Sequence, residues 1–62
     1  MNLEQCILRE SGRQYWLKCD INGRPVITHD RSLACVFRNR YEAEGMAIVY
    51  RGRHDFEPEA LK

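Results

Sequence analysis

Sixty-two residues, 44% apolar and 31% charged, make one small globular unit, too short to hold a deep pocket beside its core. Ten basic residues stand against nine acidic ones, a formal net charge of +1, so whole-molecule electrostatics gives no pull toward nucleic acid or an anionic membrane. Cys6, Cys19 and Cys35 are an odd thiol set with no secretory apolar segment before them, which favours a reducing, cytoplasmic setting, and no apolar run approaches the ~20 residues of a membrane span.

In chain order, "LEQCILRE" is the first β candidate, joined to the next by Ser11-Gly12. A two-residue turn there pairs Glu10 with Arg13, Leu8 with Tyr15, Ile7 with Trp16 and Cys6 with Leu17, which places opposite charges beside the turn. The clearest local signal follows in "YWLKCDINGRPVITHD". Asn22 and Gly23 both tolerate the positive φ of a type I′ turn, and they lie between two β-prone runs. With those two as the loop, Ile21 faces Arg24, Cys19 faces Val26, Leu17 faces Thr28 and Trp16 faces His29. Pro25 then does least harm if its strand lies at a sheet edge.

Because side chains alternate along strands, one face is expected to gather Cys6, Leu8, Tyr15, Leu17, Cys19 and Val26 as the core. The opposite face gathers Ile7, Trp16, Ile27 and His29 among Gln5, Lys18 and Arg9, and is unusually apolar for a solvated face.

"SLACVF" reads as a short strand or an extended connection. Beyond it Asn39 is placed to cap a helix, with Glu42 three residues on completing a capping-box pattern. Ala43, Met46, Ala47 and Tyr50 form a single helical stripe, and Gly52 is a natural stop. These signals predict a helix over 40–51, although Ile48-Val49 alone would favour a strand. "HDFEPEALK" offers a short edge strand around Phe56, limited by Pro58. The expected fold is a single α+β domain over 1–62. It is a small antiparallel sheet of three to five strands with one helix on one face, in the order β-β-β-(β)-α-(β).

Chemistry-bearing patterns are sparse. The cysteines, His29 and His54 are scattered without metal-ligand spacing, and no nucleotide-binding or nucleophile motif is present, so neither an enzyme nor a cofactor is expected. Two surfaces remain. Ile7, Trp16, Lys18, Ile27 and His29 together read as a protein-binding face, Trp16 the anchor and the aliphatics its neighbours. A homodimer through the same face is compatible with that reading, as is internal cover by "SLACVF" or the tail. The alternative is nucleic-acid binding by Arg38, Arg40, Arg51 and Arg53 at the helix ends, with Trp16 or Tyr41 stacking on bases.

The β-meander leading into "F…YEAEGMA" resembles many small bacterial and phage domains. In size and layout it resembles phage inhibitors of host defence complexes, such as anti-CRISPR proteins. That resemblance implies a non-enzymatic inhibitor that occludes a surface of a host complex. It carries no diagnostic motif.

Overall fold

The computed structural model describes residues 4–61. They form β1 (Cys6–Glu10), β2 (Trp16–Ile21), β3 (Arg24–Thr28), a 3₁₀ turn (Arg31–Leu33), α1 (Arg40–Val49) and β4 (Phe56–Ala60). The four strands make one antiparallel sheet in the order β3-β2-β1-β4, and α1 packs on it, the expected α+β arrangement.

The β2–β3 hairpin forms as its turn residues dictate. Asn22 and Gly23 sit at φ 53° and 78°, and the Gly23 N–H donates to the Asp20 carboxylate at 2.9 Å. Ile21 pairs with Arg24 and Cys19 with Val26 as expected. A β-bulge between Leu17 and Cys19 then changes the register, so Leu17 pairs with Ile27 in place of Thr28, and Trp16 with Thr28 in place of His29. One extra residue on β2 exchanges the faces of everything opposite it. Ile27 therefore joins the helix-covered face, while Trp16 stays on the other.

The first loop is longer than the Ser11-Gly12 pair. Arg9 lies opposite Trp16 and the Glu10 N–H donates to the Tyr15 carbonyl at 2.9 Å, so residues 11–14 form the connection. The expected pairs Glu10–Arg13, Leu8–Tyr15, Ile7–Trp16 and Cys6–Leu17 are each displaced by two residues. Contacts from outside the hairpin hold this wider loop, the Glu10 carboxylate facing His54 and the Asp55 N–H, and within it Arg13 offers its carbonyl to the Arg9 side chain at 2.7 Å. A shift of two leaves every side chain on its expected face.

"SLACVF" is not a strand of the sheet. Asp30 caps the 3₁₀ turn by accepting from the Ser32 N–H at 3.0 Å, and the chain then wedges between β1 and β2. Cys6 exchanges backbone hydrogen bonds with Phe37 at 3.0 and 2.7 Å, and the Cys35 N–H donates to the Leu17 carbonyl at 2.8 Å.

The helix starts where the capping pattern predicts. Asn39 accepts from the Glu42 N–H at 3.0 Å, while the Glu42 carboxylate reaches past the cap to the Arg38 N–H at 3.2 Å. It ends at Val49, two residues short of the expected Arg51. Tyr50 caps it, and Gly52 turns the chain at φ 104° toward β4.

β4 runs through Pro58 to Ala60, and Pro58 lies opposite Leu8. Cys6 directs its N–H and C=O toward Phe37, away from β4, and by alternation Leu8 does the same. Pro58 therefore turns its nitrogen outward and no ladder bond is lost. Pro25 holds the matching place in β3, one pair beyond the hydrogen-bonded pair that closes the turn. Both edge strands carry a proline at an outward position.

Two small cores result. Under α1 lie Cys6, Leu8, Leu17, Ala43, Tyr50 and Phe56, with Ile27, Phe37, Met46 and Ala47 packed at the margin. Across the sheet Ile7, Trp16 and Ala34 pack together with Leu61.

Candidate protein-binding surface

The five residues expected to form one sheet-face interface are separated by the fold. Ile7 is 0% exposed and Trp16 6%, both closed over by Ala34 and Leu61. Arg31 locks this cover: its guanidinium pairs with Glu59 at 2.8 Å and donates to the carbonyls of Ala60 and Leu61 at 3.0 and 2.9 Å. Arg9 also approaches Glu59, at 3.8 Å. Ile27 is half-buried on the opposite face because of the bulge. Lys18 and His29 are exposed, and His29 packs edge-on against Tyr15, ring centroids 4.4 Å apart, not against Trp16. The face is thus covered internally and Trp16 does not stand open as an anchor. Its indole N–H is buried with no hydrogen-bond partner among the described residues.

The four arginines lie where the helix reading put them, at its ends, all exposed. Arg38 and Arg40 pair with Glu42 and Glu44 one helical turn on, at 3.9 and 3.1 Å. Arg51 and Arg53 follow the helix and make no ion pair among the described residues.

Among the large apolar side chains of the described residues the three most exposed lie on the helix itself, ahead of Ile21, Leu33 and Val36. The buried stripe of Ala43, Met46, Ala47 and Tyr50 turns Tyr41, Gly45 and Ile48 to the opposite side, with Val49 beside them. Tyr41 is 82% exposed, Ile48 59% and Val49 67%. Gly45 sits between them with open space where a Cβ would stand, so another chain can approach the helix backbone there. This surface was available in the sequence. The same period that assigns one stripe to the core leaves Tyr41, Ile48 and Val49 outside it, and their strand-like character marked them as costly to expose.

Elsewhere the polar groups are engaged in holding the fold. Asp20 joins the hairpin tip to the helix end, accepting from the Tyr50 hydroxyl as well as from Gly23. Burial and the neighbouring Asp20 push the Tyr50 phenol up to about 12. Glu10 accepts from the Asp55 N–H at 2.9 Å and meets the His54 ring at 2.8 Å. Burial alone would raise its carboxyl, but those hydrogen bonds outweigh it and hold it below the usual value. Cys6 is buried, Cys19 and Cys35 are half-buried, and burial raises the Cys35 thiol, with the nearby Cys19 adding to the effect. A raised thiol is a poor nucleophile at neutral pH.

Among the described residues no group of three or more His, Cys, Asp or Glu is placed to hold a metal ion, and no helix is long and apolar enough to cross a membrane. No protein-family profile matches the chain, and neither a curated protein nor a solved structure is significantly similar to it.

Proposed function

We propose that this chain is a non-enzymatic protein-interaction module whose contact surface is the outer side of α1. The observation that carries this reading is the exposure of Tyr41, Ile48 and Val49 on one side of a regular helix, two turns apart with Gly45 between them. A rigid helix presenting an aromatic and two branched aliphatics around a glycine fits the core of a desolvated interface, and exposed arginines at both ends supply a polar rim. Such a surface is the kind used by a protein that works by covering part of a larger complex, the role that the resemblance to phage-type inhibitors implies.

The arginines also favour a second reading, as a nucleic-acid contact. Tyr41 stands exposed near Arg38 and Arg40 and is free to stack on a base. Glu42 and Glu44 on the same helix oppose it, since each neutralises one of those arginines.

The test is affinity capture from the native host with wild type, Ile48→Glu and Trp16→Phe in parallel. A specific protein captured by wild type and by Trp16→Phe but lost with Ile48→Glu, which leaves the fold intact by circular dichroism, supports the helix surface. Equal capture by Ile48→Glu removes it.

A further inference from the structure

Resting on that reading, we infer that the outer face of α1 docks an acidic, apolar segment of a different protein, not a second copy of this chain and not a nucleic acid. The distribution of charge around the apolar residues decides among these occupants. At the N-terminal end Arg38 and Arg40 are balanced by Glu42 and Glu44, whereas Arg51 and Arg53, which follow Ile48 and Val49 in the chain, have no carboxylate partner among the described residues. A cationic side chain after a helix is favoured by the negative end of the helix dipole, which explains the charge there. Both side chains are exposed and make no side-chain hydrogen bond among the described residues, which leaves their guanidinium donors, five per arginine, open to a partner. Branched aliphatics beside two such forks fit a partner that brings apolar side chains together with carboxylates.

A second copy fits poorly in either orientation. Antiparallel docking centred on Gly45 lays Tyr41 of one helix on Val49 of the other, but it brings Arg51 and Arg53 to the Arg38/Arg40 end, where the carboxylates of Glu42 and Glu44 are already engaged. Parallel docking sets Arg51 and Arg53 against themselves. Neither orientation offers Arg51 and Arg53 an unengaged carboxylate, and the parallel one sets like charges together, which opposes the pairing. A nucleic acid leaves Ile48 and Val49 without a role, whereas a segment that carries apolar side chains beside its carboxylates uses them together with Arg51 and Arg53.

The experiment measures binding of the full chain to three labelled probes by fluorescence anisotropy. These are a helical peptide of Leu and Glu, its counterpart of Leu and Lys, and a single-stranded oligothymidine. The expected result is binding of the Leu/Glu peptide alone, weakened about tenfold by Arg51→Glu with Arg53→Glu. The neutral pair Arg51→Gln with Arg53→Gln, gentler on the helix end, changes affinity in the same direction by less.

Failure of the inference and failure of the underlying reading look different. If both peptides bind equally and the charge reversal has no effect while Ile48→Glu abolishes binding, the helix face is an interface but its partner is not acidic. If no peptide binds, or if Ile48→Glu changes nothing, the docking face itself is wrong. Preferential binding of oligothymidine replaces the inference with a nucleic-acid contact. Dimerisation in sedimentation that Ile48→Glu abolishes replaces it with self-association.

Discussion

On one face of the sheet a ten-residue helix lays a continuous stripe over the strands, while on the other Ala34, just past a three-residue turn, and Leu61, held by Arg31, close over Ile7 and Trp16. The first cover is periodic and the second is irregular. A helix declares its buried side through spacing, and it also declares what it leaves outside. An irregular cover has no period, so Ile7 and Trp16 look open from the sequence although the chain returns over them.

Removing the largest side chain on the irregular side tests whether that cover is a true core. Trp16→Ala is expected to destabilise the chain by about 4 kcal/mol, enough to unfold much of a domain this small. Leu8→Ala, on the helix side and fully buried, is expected to lose about 3 kcal/mol. Urea denaturation of the two variants makes the comparison, and a loss below about 1 kcal/mol for Trp16→Ala would mean that the second cluster opens freely.

A smaller effect separates the faces by pH. The Tyr50 phenol is raised from 10 to about 12, so the fold favours its protonated form. Its contribution is complete below pH 10 and is lost as the pH rises from 10 toward about 12. Tyr50→Phe is expected to cost about 1 kcal/mol at neutral pH. The gap between wild type and variant should close as the pH rises from 10 toward about 12, and a constant gap across that range contradicts the assignment.

Arg31→Ala gives the smallest change, about 1 kcal/mol or less, because its partner contacts are partly exposed. Its value lies in where it acts. Hydrogen exchange should quicken at the Leu61 amide, which bonds Gln5, and stay unchanged in α1. Equal quickening in both places would mean that the two covers open as one unit.

Much of this was legible beforehand. Asn22-Gly23 specified its hairpin, Asn39 and Glu42 specified the helix start, and the 43/46/47/50 stripe specified what the helix buries. What escaped was set by contacts distant in sequence. The bulge at Lys18 leaves no trace in alternation, yet it moves Ile27 from the face of Trp16 to the face of Leu17. The four-residue loop depends on Glu10 meeting His54 and Asp55, some 44 residues on. The cover over Trp16 depends on Arg31 reaching the end of β4. The open face of α1 was implied by the same period that located its core, and it lay in the shadow of a more conspicuous tryptophan.

Pro25 and Pro58, each with its nitrogen turned away from the sheet, finish both sides of it. A strand arriving at either margin meets a ring and a missing donor on the edge it would need to match, mid-strand at Pro58 and beside the turn at Pro25. Recognition by shared backbone ladders, which is largely indifferent to side chains, is discouraged at both borders. Any lasting association of this molecule is then directed to surfaces that side chains define, where selectivity between partners is set by what those side chains are.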